Sequence, residues 1–268
     1  MDDESVIKNK RTVLGVLSDI PGHLWALWGL ILFVSTMLIF LIPFLLFSYF
    51  RKDPIKTKRF ILYSRTWMKI FLTGVGCPLE IKGKEHFKNG ETYIVLCNHN
   101  ALIDVPVSSP GIPGGNKTIA KIEMAKTPVF GMLYRTGSVL VDRKSEASRR
   151  ESYGKMKDVL AMGLHMCIYP EGTRNKSDQP LKSFHDGAFR LAVDTKTPII
   201  PAIIFNSRKT MPFNKVFYLE PHPLSLHFLE PVSVGEADTV KSLREKLFEI
   251  MKNYYQQNEK GVNHQGSS

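Results

Sequence analysis

Residues 92–104 read Thr-Tyr-Ile-Val-Leu-Cys-Asn-His-Asn-Ala-Leu-Ile-Asp. The first six form a short apolar run with β-branched members, the composition of a buried strand. The run then breaks into a polar loop holding His99 and Asp104. A buried strand that empties into such a loop is a unit of an α/β fold, in which chemistry gathers at strand ends. Outward from this unit, 139–141, 166–169, 199–205 and 226–229 read as further strands. Pro201 inside the run 199–205 predicts an edge position or a strand start there. Helical patterns occupy 145–162, 186–195 and 237–257. Strands alternate with helices, so 77–257 is expected to be one α/β domain with a mixed, mostly parallel central sheet flanked by helices. The polar residues 258–268 are expected to be a disordered tail.

Upstream of this domain the chain changes character. From Leu24 to Phe50 there is no Asp, Glu, Lys or Arg. A helix of that length reaches roughly 40 Å, against ~30 Å for the hydrocarbon core of a bilayer. Stopping before Pro43 still leaves about 28 Å. The run is too long for the apolar part of a signal peptide, and no small-residue cleavage site follows it. A second apolar stretch covers 60–75, and Lys58, Arg65 and Lys69 fall on one helix face within it. An amphipathic helix over about 57–75 is therefore expected in the membrane interface, basic side toward anionic headgroups. The alternative is a helix packed on the domain. Residues 1–76 together are read as a membrane anchor. The basic flank after the apolar helix outweighs Lys8, Lys10 and Arg11 before it, which places the domain on the cytoplasmic face.

The formal charge is +11, from 36 Lys and Arg against 25 Asp and Glu. An excess of that size calls for an anionic partner: nucleic acid, an acidic membrane or a phosphorylated substrate. Seven of the cations lie in 51–69 beside the apolar helix, against Asp53 alone. That placement favours anionic membrane lipids. No helix-turn-helix, zinc-finger or RRM signature is present, which argues against nucleic acid. Cys77, Cys97 and Cys167 stand in no CxxC spacing, and there is no HExxH, so neither a disulfide scaffold nor a metal site is expected.

The candidate chemistry sits in three loops. His99 and Asp104 are five apart and can meet if the loop turns into a helix. A carboxylate on one imidazole nitrogen fixes the tautomer and leaves the other nitrogen to take a proton from a hydroxyl. No GxSxG elbow exists to supply an acyl-enzyme serine, so the hydroxyl would be the substrate's own. After the strand at 166–169 comes Glu171-Gly172-Thr173-Arg174, with a bidentate guanidinium suited to phosphate. Arg143 closes another strand, and Lys121 lies farther back. Lys121, Arg143 and Arg174 could converge on one anion.

His99-x4-Asp104, then Gly137…Asp142-Arg143, then Glu171-Gly172-Thr173-Arg174, then Ile200-Pro201-Ala202, in this order, resembles the four-block pattern of the glycerolipid acyltransferase family. The resemblance is closest to its lysophosphatidic acid acyltransferase branch and covers roughly residues 80 to 230. It implies that His99 is the general base with Asp104 as its partner. It also implies that Arg143, Glu171, Gly172, Thr173, Arg174 and, less directly, Lys121 bind the acceptor. The implied acceptor is lysophosphatidic acid, and the donor acyl-CoA or acyl-acyl carrier protein. No cofactor, metal or covalent intermediate is implied. The implied place is the bacterial inner membrane. Another lysolipid acceptor, or a lipid-binding protein without turnover, is the competing reading. The third block runs on as Asn175-Lys176-Ser177-Asp178-Gln179, without the glycine expected in that loop.

Overall fold

The computed structural model describes residues 13–264. Helix α1 (Val13–Phe47) and helix α2 (Ile55–Gly74) form an antiparallel pair. Seven strands follow: β1 (Leu79–Lys82), β2 (Ile94–Cys97), β3 (Asn116–Lys121), β4 (Ser138–Val141), β5 (His165–Ile168), β6 (Ile199–Phe205) and β7 (Leu224–Phe228). Between and after them lie α3 (Asp104–Gly111), α4 (Phe130–Gly137), α5 (Glu146–Ala161), α6 (Gly187–Thr195), the single turn α7 (Ser207–Thr210) and α8 (Val240–His264). The sheet order is β1-β7-β6-β2-β5-β3-β4, and among these pairs only β6–β7 is antiparallel. This is the mixed, mostly parallel sheet expected.

Both sheet faces are covered, which explains why the central strands read as unbroken apolar runs. Along β2, Val95 and Cys97 enter a core shared with α1, α2, α3 and α4. Ile94 and Leu96 enter the opposite core, shared with α5, α6 and α8. β6 alternates in the same way.

Several details depart from the sequence reading. β6 is an interior strand despite Pro201. Its regular pairing with β7 begins at Ala202↔Phe228, and the Pro201 carbonyl accepts from Leu229 beyond that point. The nitrogen of a strand residue points to the same side as its carbonyl, so the missing donor falls outside the ladder and β2 loses no bond. α1 begins at Val13 and runs through Pro43 to Phe47, rather than covering 24–50. Lys8, Lys10 and Arg11 lie outside the described residues. The closing helix passes Gln257 and continues to His264. Along this extension Asn258 bonds back to the Tyr254 carbonyl. Residues 265–268 lie outside the described residues.

α2 begins at Ile55, and it takes the alternative course of packing on the domain. Trp67, Met68, Phe71 and Leu72 are buried in the core beneath the sheet. Arg65 does not turn to headgroups: its guanidinium donates to the carbonyls of Pro110, Ile112 and Gly114 at distances of 2.7–3.0 Å. Those carbonyls end α3 and the loop behind it, where no helical partner satisfies them. Asp53, just before α2, accepts from the Thr57 amide and hydroxyl and from the Lys117 ammonium of β3 at 2.7 Å. Sequence position 76 therefore marks no gap in the packing.

Candidate active site

The candidate residues collect at the C-terminal edge of the parallel strands. At the end of β2, Asn98 makes a reciprocal pair with the backbone of Ile204 in β6, donating to its carbonyl and accepting from its amide. That side chain continues the ladder by one step and fixes where His99 begins. The chain then turns into α3, and Asp104 stands in its first turn. Asp104 Oδ2 accepts from the amides of Asn100 and Ala101 at 2.6 and 2.8 Å and lies 2.9 Å from His99 Nδ1. Asp104 is wholly buried, while the His99 ring is partly open. The carboxylate thus sits behind the ring, and Nε2 is left for an incoming hydroxyl.

The ring opens into a cleft of about 790 Å³, lined by Lys121, Arg143, Gly172, Thr173, Arg174, Asn175, Lys176, Ser177 and Lys182 besides His99. Five of these are cations, and no Asp or Glu is among the lining residues. The expected convergence of Lys121, Arg143 and Arg174 on one space is therefore present. Two of the three have protein partners as well. Arg143 donates to the Gly172 carbonyl, and Lys121 pairs with Glu123 at 3.1 Å. Gly172 has φ of +69°, and a Cβ there would lie 2.7 Å from the His185 ring, so glycine is required. Thr173 accepts from Lys182 Nζ at 3.0 Å.

Glu171 is the site residue whose surroundings differ from expectation. It is wholly buried and is not part of the cleft wall. One oxygen accepts from the His99 amide at 2.8 Å and the other from the Lys182 amide at 2.9 Å. It holds two loops together instead of meeting a ligand or a guanidinium. Burial pushes its carboxyl up to about 7, partly offset by those two amide bonds.

A scan with family models matches residues 78–205 to the model described as Acyltransferase. The 1-acyl-sn-glycerol-3-phosphate acyltransferase of Helicobacter pylori is 30% identical over 166 residues, covering 62% of this chain and 67% of that protein. The chain belongs to the acyltransferase family. A protein of the same name from Cocos nucifera is 30% identical over 182 residues, 67% of this chain and 58% of the relative. The human alpha form is 30% identical over 131 residues, 48% and 46%. The chain thus aligns with less than two thirds of the plant and human relatives. In fold, the chain matches the crystal structure of the 1-acyl-sn-glycerophosphate (LPA) acyltransferase PlsC from Thermotoga maritima. The TM-score is 0.76 at 23% identity, covering 89% of this chain and 96% of that one.

Other residues of this acyltransferase enter the site without having stood out in the sequence. Tyr169 stacks on the His99 ring, centroids 4.3 Å apart. Its hydroxyl lies 2.6 Å from that of Ser108 in α3, the helix that carries Asp104. Its place directly before Pro170-Glu171 was a usable signal. Asn175 opens the loop in which a glycine was expected, and it builds that loop by other means. Its amide donates to the His99 carbonyl, and its side chain bonds Ser177 and the Gln179 carbonyl. Lys176 and Lys182 add two cations to the cleft beyond the three named from the sequence.

Proposed function

We propose that this chain moves a fatty acyl group from acyl-CoA or acyl-acyl carrier protein to the sn-2 hydroxyl of 1-acyl-sn-glycerol-3-phosphate, forming phosphatidic acid. The observation that carries this reading is the His99–Asp104 pair opening into a cleft whose charged lining is cationic throughout. His99 Nε2 takes the hydroxyl proton, and the oxygen attacks the thioester carbonyl. The tetrahedral oxyanion collapses, the C–S bond breaks, and the imidazolium returns the proton to the leaving thiolate. Asp104 stabilises the imidazolium in between. Arg143, Arg174 and the lysines suit the acceptor phosphate and shield the developing charge. Gly172 and Thr173 shape the wall, and Glu171 acts as a positioning residue.

The reaction belongs at a membrane, because acceptor and product are lipids. α1 is the helix among the described residues long and apolar enough to cross one, and one side of it is uncovered. The domain would stand on the cytoplasmic face, in a bacterium that of the inner membrane, with anionic lipids beneath the basic segment 51–69. The test is an acceptor panel. Membranes carrying the protein are given a labelled acyl donor with lysophosphatidic acid, lysophosphatidylcholine, lysophosphatidylethanolamine or a lyso-aminolipid. Phosphatidic acid is the expected product, lost in His99→Ala. Turnover of another lysolipid alone would overturn the acceptor assignment.

A further inference from the structure

Beyond the N-terminal helices, the large apolar residues left exposed are not scattered. Among the described residues after Gly74, each of them lies in a connection leaving the C-terminal end of β2, β3 or β6. Leu102 follows β2. Ile122, Met124 and Val129 follow β3. Phe213, Val216 and Phe217 follow β6, with Val216 at 84% exposure. These three strands lie parallel to one another or to β5 between them, so their C-terminal ends form one edge, the edge that carries His99. The opposite edge and the outer faces of α5, α6 and α8 show no such residue among those described.

The third connection also joins the apolar helix. The Leu219 amide donates to the Gly22 carbonyl, His23 Nδ1 lies 2.9 Å from the Phe217 carbonyl, and Lys215 pairs with Asp19 at 2.7 Å. Ile20, Leu24 and Leu27, exposed on the adjoining turns of α1, bring the apolar surface up to this loop. Exposed apolar side chains gathered at one edge, beside a long apolar helix with an uncovered side, are what a soluble protein avoids and a membrane-facing one uses. Lys121, Lys126, Lys176 and Lys209 stand among or beside these loops, the order expected where apolar tips enter acyl chains and cations meet phosphates.

We propose that the loops after β2, β3 and β6 form an apolar collar around the cleft, and that this collar inserts into the same lipid leaflet as α1. This rests on the proposed acyl transfer only for its purpose. A single helix in the interface leaves the domain free to roll about the helix axis. The collar removes that freedom and presses the His99 edge onto the lipid, so a lysolipid enters the cleft without crossing water.

The test uses the full chain with a fluorescent nitrobenzoxadiazole label at Val216→Cys, and as a control at Asn89→Cys in the turn before β2. The three native cysteines are buried and do not compete for label. On vesicles of phosphatidylcholine with phosphatidylglycerol, the label at 216 is expected to brighten severalfold and to be quenched by lipids brominated on their acyl chains. The label at 89 should do neither. A water-exposed, unquenched label at 216 on vesicle-bound protein would overturn the collar and leave acyl transfer standing. Equal quenching at both positions would overturn it as well. Independently, Phe213→Ser with Val216→Asp should slow turnover of long-chain lysolipid in vesicles about tenfold and leave a short-chain, water-soluble acceptor unaffected. Equal rates on vesicles would refute the collar, whereas loss on both acceptors would place the loop in catalysis instead.

Discussion

One oxygen of Asp104 serves three donors: the His99 ring and the amides of Asn100 and Ala101. Its partner Oδ1 is buried without a hydrogen bond. An amide in this place gives up the charge that supports the imidazolium in either orientation, and in one of them it also points its NH₂ at two N–H groups. Asp104→Asn should therefore lower kcat by about 10²–10⁴-fold with little change in donor KM, as steady-state rates would show. Tyr169→Phe keeps the stack on His99 and removes only the hydroxyl bonded to Ser108. That leaves the Ser108 hydroxyl with only the weak thiol donor of Cys167 at 3.7 Å, which should cost about 1 kcal/mol in denaturant melts. Two buried groups impose opposite pH slopes. Glu171, pushed up to about 7 by burial, adds stability below about 4.5 that is lost as pH rises through 7. His165 is held down to about 4, chiefly by burial, and its Nδ1 accepts from the Tyr93 amide. It adds stability above about 6.5 that is lost as pH falls through 4. Between pH 7 and 5 the two oppose each other. In His165→Gln the Glu171 slope stands unopposed. That variant should gain about 2 kcal/mol on acidification relative to the wild type, read from urea midpoints in detergent. A variant with the wild-type pH slope would show that His165 is not charged on unfolding.

At the scale of elements, what was legible depended on where each segment finds its partners. β2, β5 and β6 bury both faces, and their apolar runs announced them. β3 is as interior as they are, yet it opens Asn116-Lys117-Thr118. Those polar groups are satisfied by Ser109, Asp53 and Ser138, and none of these contacts is visible in the local pattern. β1 is an edge strand with two charges in four residues, and α3 carries Pro106 and Pro110, so neither shows a periodic signal. Among site residues, His99, Asp104, Lys121, Arg143 and Arg174 were readable because their chemistry resides in their own side chains. The part played by Glu171 was not, since its partners are backbone amides 72 and 11 residues away. The bond between Asp53 and Lys117 is of the same hidden kind, and it fastens the start of α2 to the sheet. Asp53→Ala removes the cap of α2 and strands a nearly buried ammonium. A loss of about 2–4 kcal/mol is expected, with faster proteolysis in the turn 48–54. An unchanged melting curve would show that the turn is not fastened there.

For the whole molecule the deciding relation is between α1 and the domain. Residues 19–47 of a straight helix extend about 43 Å, enough to cross a bilayer. Yet the domain meets α1 along that length. The loop before β7 holds Asp19, Gly22 and His23. Phe33 packs on Phe130 of α4, and Leu133 of α4 lines one small pocket together with Met37 and Leu41. Beyond the far end, Asp53 reaches β3. A helix crossing the bilayer would carry one of these polar attachments to the opposite side, together with the sheet edge that makes it. Breaking them or burying them in hydrocarbon would cost several kcal/mol each. The arrangement consistent with the contacts is a helix lying along the surface of one leaflet, its uncovered side in the lipid and its covered side on the domain. Fluorescent labels on single cysteines at Leu24, Val34 and Leu46, spread along the uncovered side of α1, separate the two arrangements. Read with nitroxide lipids of graded depth, all three should lie at one shallow depth. A deep label at 34 between two shallow ones would mean that α1 spans and that its contacts with the domain rearrange in the membrane.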